Sequence, residues 1–183
     1  MKYIAFYKPY GVLTQFTGEE GDRTLSDFNL PKNVYAAGRL DKDSEGLLVL
    51  TDDGAFNQKL TNPKSNKEKT YLVQVENIPT EESLQEMRRG LKIQDYTTKP
   101  CKARLIDDPG FEERVPPIRE RKSIPTAWLE IIIVEGKNRQ VRKMTAKIGH
   151  PTLRLIRVAI GKLELGNLKQ GEWREVSKSD ILN

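Results

Sequence analysis

A chain of 183 residues with 37% apolar content can bury a real core, as one large domain or as two small halves sharing one. It contains no apolar run long enough to span a bilayer and no signal peptide, since Lys8-Pro9 interrupts the opening strand-like stretch, and its lone Cys101 rules out an intrachain disulfide and suits a reducing cytoplasm. The net charge of +5 is uneven: from Gly136 to Arg157 stand seven bases and no acid, which favours a polyanionic partner over a merely solvated helix face.

Tyr3 to Tyr7 reads as a first strand, closed by Lys8-Pro9-Tyr10-Gly11. Val12 to Phe16 is a second extended piece, Leu25 to Leu30 a short helical turn before Pro31, and Val34 to Ala37 a short strand. Then comes the stretch on which the rest is organised, Ala37 to Gly54. A charged loop, Arg39 to Glu45, leads into Gly46-Leu47-Leu48-Val49-Leu50, and four consecutive aliphatics closed by Thr51-Asp52-Asp53-Gly54 predict a buried strand. A carboxylate in such a loop, Asp41 above all, is anchored at the rim of a cleft. Asp53 to Leu60 predicts a helix capped by Asp52 or Asp53 and stopped by Asn62-Pro63.

Thr70 to Val75 is rich in β-formers, with Tyr71, Val73 and Val75 on one face. Pro79 to Leu91 predicts a helix: Thr80 caps it, Glu81 and Glu82 open it, and Arg88-Arg89-Gly90 close it, an order that suits the helix dipole. Thr97 to Ile106 is a strand carrying Cys101 as a small buried hydrophobe. Asp107 to Pro125 is an irregular segment with four prolines, of the length that is often functional or mobile. Ala127 to Val134 is a strong central strand. Asn138 to Ile148 predicts a helix capped by Asn138, with Val141, Met144 and Ile148 on one side and Arg139, Arg142 and Lys143 on another. Leu153 to Ile160 alternates as a strand, and Gly166, Gly171 and Trp173 belong to a hairpin-like tail. Strands interleaved with three or four helices, without strict βαβ alternation, predict an α+β fold with a mixed, mostly antiparallel central sheet flanked by helices.

Several chemistries are excluded by what the chain lacks. Asp41, Asp43 and Glu45 before Gly46 imitate half of a calcium loop, but the closing position is Asp52 and the flanks are strands. One His and one Cys cannot supply a zinc site, and His150 after a helix end is a satisfied capping residue. There is no P-loop, dinucleotide glycine motif or nucleophile elbow. What remains is a metal-free and cofactor-free site of one carboxylate, one or two arginines and an aromatic platform: Asp41, Arg39, Arg142 and Tyr71, each of which could instead be an ordinary structural residue.

Gly38-Arg39-Leu40-Asp41 with Gly46-Leu47-Leu48-Val49-Leu50-Thr51-Asp52-Asp53-Gly54 resembles the signature of RNA pseudouridine synthases. It is most similar to the branch that modifies bacterial ribosomal RNA: type A, which modifies RNA of the small subunit, with its relatives of types B, E and F, which modify that of the large subunit. Phe6-Tyr7-Lys8-Pro9-Tyr10-Gly11-Val12, Lys69-Thr70-Tyr71-Leu72-Val73, and Glu135 to Met144 with Gly149-His150-Pro151 resemble three further motifs of that family, in its order. The first motif begins at residue 6, so no RNA-binding domain is expected ahead of the catalytic part; with Pro116 to Thr126, this brings the chain nearest to the E type.

The resemblance implies a single catalytic domain, in approximate halves 1–62 and 63–183 with a cleft between them. It implies a monomeric, cofactor-free isomerase that flips a uridine out of 23S ribosomal RNA and makes it pseudouridine. Asp41, Tyr71 and Arg142 take the catalytic positions: the carboxylate, the ring that stacks on uracil, and the guanidinium that pairs with the carboxylate. Attack on C1′, addition to C6 and removal of a sugar proton would all require Asp41 ionised. Arg39, Lys69, Lys137, Arg139, Lys143, Arg154 and Arg157 would contact RNA, with Leu155 as an apolar wall. The rival readings are a non-catalytic RNA-binding or ribosome-assembly module and a glycosidase with a second acid at Asp43, Glu45 or Asp52.

Overall fold

The computed structural model describes residues 1–182. In chain order the strands and helices are β1 (Tyr3–Lys8), β2 (Val12–Leu13), β3 (Arg23–Thr24), β4 (Tyr35–Ala37), β5 (Glu45–Thr51), α1 (Gly54–Thr61), β6 (Lys69–Glu76), α2 (Glu81–Arg89), β7 (Lys92–Ile93), β8 (Tyr96–Thr97), β9 (Lys102–Ile106), β10 (Thr126–Ile133), α3 (Gln140–Lys147), β11 (Thr152–Ile160), β12 (Leu163–Glu164), β13 (Trp173–Glu175) and α4 (Lys178–Leu182). The fold is α+β with mostly antiparallel strand pairs, as the segment pattern predicts. Among the described residues, no helix is long and apolar enough to cross a membrane.

The chain forms two units: Met1–Lys67 together with residues from Ile156 onward, and Glu68–Leu155. The carboxy-terminal part thus belongs with the amino-terminal part, because β13 adds to β1 and the second half of β11 lies along β5. Register over long sequence distance places those residues, and a division by position along the chain misses it.

In the first unit β1 and β4 both pair antiparallel with β5, one on each side, and the parallel contact of β11 covers the rest of its edge. All seven residues of β5 are therefore buried, as a strand covered on both faces and both edges must be. Ile4 faces Leu50 and Phe6 faces Leu48 across the ladder, and these four pack with Val12, Leu25, Val34 and Leu40. Asp53 caps α1 through Phe56 N–H and accepts a 2.6 Å bond from the Tyr3 hydroxyl. Asp52, the position that would have closed a calcium loop, accepts from Lys2 N–H at 2.7 Å.

In the second unit β10 runs antiparallel between β6 and β9. One face carries Tyr71, Val73 and Val75 of β6 with Leu129 and Ile131 of β10, covered by Leu84 and Met87 of α2 and by Val141 and Met144 of α3. Thr80 caps α2 as expected. The predicted strand around Cys101 is shorter, beginning at Lys102, since residues 92–97 instead form the β7–β8 hairpin. Cys101 is half-buried, and its thiol donates to Met87 carbonyl. His150 is satisfied by Thr145 carbonyl through its N–H and by Glu76 carbonyl at its ring.

Gly46 shows how closely β5 and β11 approach. Its φ is +110°, and a Cβ there would overlap the Arg157 carbonyl oxygen and lie 2.7 Å from the Arg157 nitrogen. Both obstacles are backbone, so neither can swing aside. Gly46→Ala is expected to cost about 2 kcal/mol or more and to lower Tm by roughly 4–8 °C. Thermal unfolding followed by circular dichroism tests this; an unchanged Tm would mean that the two strands can part freely.

Candidate active site

Asp41 lies half-buried in the loop between β4 and β5, and its carbonyl accepts Ser44 N–H to close a turn. The loop does not hold itself. Leu40 is buried in the first unit's core, and the Thr14 hydroxyl bonds both its carbonyl and its N–H. On the other side of Asp41, the Lys42 carbonyl accepts Gly11 N–H at 2.7 Å and the Lys8 ammonium at 3.4 Å. Lys8 is fully buried and also donates to the carbonyls of Pro9 and Val12, at 2.9 and 2.8 Å. The segment Lys8 to Thr14 thus fixes the backbone directly before and directly after Asp41. A backbone so held restricts where the Asp41 side chain can reach.

Neither Lys8 nor Thr14 is among the site residues that the sequence reading selects. Lys8 lies in the Phe6 to Val12 motif, so the signal was present, but a lysine beside a proline reads as a surface turn. Glu45 is also fully buried, one residue before Gly46. Arg39 is exposed, free of the packing that holds Leu40.

In the second unit Tyr71 is only 9% exposed and shares its apolar cluster with Leu155, Val141 and Met144. Arg142 and Lys143, half-buried on α3, follow from the same helix face that packs Val141 and Met144 inward. The turn before α3 differs from expectation. Asn138 does not cap the helix; Arg139 stands at that position with φ +53° and makes no side-chain cap. The buried Gln140 closes the turn instead, accepting Lys137 N–H at 3.3 Å and donating to Glu135 at 2.8 Å. That arrangement leaves Lys137 and Arg139 exposed. The Lys137 ammonium lies 4.9 Å from the centre of the Tyr96 ring, and Lys69 extends alongside Gly136. Lys69, Lys137 and Arg139 therefore gather at the end of the strand that carries Tyr71.

Two arginines expected on an exposed RNA track are elsewhere. Arg154 is 4% exposed, donates to Glu112 carbonyl at 2.9 Å and lies over the Phe111 ring. Arg157 is 5% exposed and donates through Nε to Leu47 carbonyl. Simple alternation would put these two on opposite faces, but residues 153–157 are buried on both. Burial also pushes the Cys101 thiol up to about 11, which makes it a poor nucleophile. No group of three or more His, Cys, Asp or Glu among the described residues could hold a metal ion.

Burial pushes the Lys8 ammonium down to about 7, against the pull of Glu45, Asp43 and Asp41. Between that value and the ordinary 10.5 the unfolded chain binds more protons here than the folded one. The contribution of Lys8 to stability therefore rises as pH increases through this window. Lys8→Met removes the titration. In urea unfolding at about pH 7, 8 and 9, the difference between wild type and variant should move in favour of wild type as pH rises. A difference that stays constant would show that Lys8 keeps its ordinary proton affinity.

The chain matches the RNA pseudouridylate synthase family over residues 2–147. It is 57% identical, over 96% of its length and 75% of the relative's, to ribosomal large subunit pseudouridine synthase E of Vibrio vulnificus, and 56% identical to the enzyme of that name from Xanthomonas axonopodis over 90% of this chain and 88% of that one. A crystal structure of a pseudouridylate synthase superposes with a TM-score of 0.81 at 30% identity, covering 98% of this chain and 72% of that one. A chain from an H/ACA ribonucleoprotein bound to a substrate RNA shares the fold alone, with a TM-score of 0.60 at 15% identity over 89% of this chain and 48% of that one. With the family's motifs in order along a matching fold, the chain belongs to the RNA pseudouridylate synthases.

Proposed function

We propose that the protein converts a specific uridine of large-subunit ribosomal RNA to pseudouridine, with Asp41 as its catalytic carboxylate and without a cofactor. The reaction cleaves the bond between ribose C1′ and uracil N1, turns the base, and joins C1′ to C5; C5 gives up its proton and N1 takes one, so the product is an isomer of the substrate. Nothing is oxidised or reduced. The large-subunit substrate is supported by the names of the relatives that are more than half identical.

The observation that carries the assignment of Asp41 is the bonding of the backbone on both sides of it by Thr14, Gly11 and Lys8. A carboxylate in a merely charged surface loop would not need that support. Tyr71 supplies the ring that stacks against the extruded uracil, and its near-complete burial limits the ring to one orientation. Arg142 takes the role of counter-charge to the catalytic carboxylate. Leu155 supplies an apolar wall. Arg39, Lys69, Lys137, Arg139 and Lys143 take phosphates, and this attraction offsets the cost, roughly a few kcal/mol, of flipping a nucleotide from its stack. Arg154 and Arg157, both buried, act as struts and not as phosphate contacts.

Asp41→Asn is expected to fold, to bind RNA as wild type does, and to make no pseudouridine. Tritium release from C5-labelled large-subunit transcript measures this, and release at even a tenth of the wild-type rate would remove Asp41 from its role. Arg142→Ala should lose about 100-fold or more in kcat, together with some thermal stability. Wild-type turnover by that variant would sink the counter-charge assignment while leaving Asp41 untouched.

A further inference from the structure

The segment between β9 and β10, residues 107–125, has no regular secondary structure, yet it is tied down along its length. Phe111 packs on Trp128, with ring centres 6.1 Å apart, and the Arg154 guanidinium lies 5.7 Å from the Phe111 ring centre. Two arginines bond in opposite directions. Arg154 of β11 donates to Glu112 carbonyl, and Arg114 of the segment donates to Leu153 carbonyl at 3.1 Å and to the carbonyls of Pro116 and Pro117. At the far end Asn77 N–H donates to Pro125 carbonyl at 2.7 Å.

Between these ties stands an ion cluster that anchoring alone does not explain. Glu76, at the end of β6, has a side chain only 7% exposed. One of its carboxylate oxygens accepts Arg119 Nη2 at 2.8 Å and lies 3.7 Å from Arg121 Nε. One buried carboxylate needs one cation, and here there are two. The side chains of both arginines are more than half exposed, at 60% and 51%, and Lys122 beside them is exposed as well. Each guanidinium carries five N–H donors and gives at most a small part of them to Glu76. Only Arg119 Nη2 hydrogen-bonds Glu76, Arg121 stays within ion-pair distance of the same oxygen, and both side chains are mostly open to solvent. Exposed Glu120 reduces the local charge but does not cancel it. Two guanidiniums held side by side with outward donors match the oxygens of a phosphodiester.

We infer that residues 107–125 form a second RNA-docking surface, on which the Glu76-held pair Arg119 and Arg121 grips a backbone phosphate of the substrate RNA away from the target uridine. This rests on the protein's acting on RNA as proposed above. It gives the segment a specificity role: a folded RNA whose backbone reaches this surface is held at two places, and a bare strand at only one.

The test uses full-length protein and unmodified large-subunit ribosomal RNA transcript, with tritium release for kcat and KM and filter binding across a salt series. Arg119→Ala/Arg121→Ala should raise KM about tenfold with kcat within about twofold, and should lower the slope of log Kd against log salt by about 1–2. Because that variant strands a buried carboxylate, the triple variant adding Glu76→Gln removes the cause of misfolding and should show the same KM and salt slope. Arg119→Lys/Arg121→Lys should restore most of the salt slope, which a purely structural pair would not do. A triple variant with native Tm, wild-type KM and unchanged salt slope overturns the docking surface while the proposed activity stands. If the wild-type protein neither binds nor modifies the transcript, both fall together.

Discussion

The backbone around Asp41 is held by polar side chains that reach it from a distant part of the chain. Thr14 takes both backbone groups of Leu40, and Lys8 with Gly11 takes the carbonyl of Lys42. These bonds survive because Lys8 is cut off from water, where its donors have nothing better to bond than three backbone carbonyls. The isolation in turn depends on β1 and β5 lying side by side, since Lys8 ends one strand opposite Gly46 near the start of the other. A buried ammonium is costly, and its proton affinity falls accordingly. That cost is the mark of a loop whose shape matters more than its stability.

The same logic separates the bases of the second unit into two kinds. Lys137 and Arg139 are exposed because Gln140 and Glu135 close the turn beneath them, which forces Arg139 into a left-handed backbone. Arg154 is buried because its aliphatic stem and guanidinium fill the space between Phe111 and the backbone of Glu112. Both kinds belong to one acid-free stretch of sequence, yet only the first can meet a phosphate directly. The second turns a proline-rich loop into a fixed surface. Arginine suits that strut role, because its planar fork can bond a carbonyl and cover a ring at once.

Membership of the pseudouridylate synthases and the geometry around residue 41 support each other for different reasons. The match along residues 2–147 says what kind of chemistry the chain carries. The bonds of Lys8 and Gly11 say how the first motif is tied to the second in this chain, although about twenty-five residues separate them. A motif whose Lys8-Pro9-Tyr10-Gly11 closes the first strand is also the clamp on another motif's loop.

Local pattern determined much of this protein. Four aliphatics in a row and a closing Thr-Asp-Asp-Gly made β5 readable as buried, and Thr80, with either Asp52 or Asp53, was readable as a helix cap, because burial of apolar runs and capping are decided within a few residues. The candidate carboxylate, aromatic and basic residues were also readable, since their motifs are contiguous. Only tertiary structure decided which unit the last part of the chain joins, that Arg154 and Arg157 lie inside, and that Lys8 is fully buried. Each of these depends on a partner tens of residues away, such as Gly46 for Arg157 or Glu112 for Arg154, and no local window of sequence contains both members of such a pair.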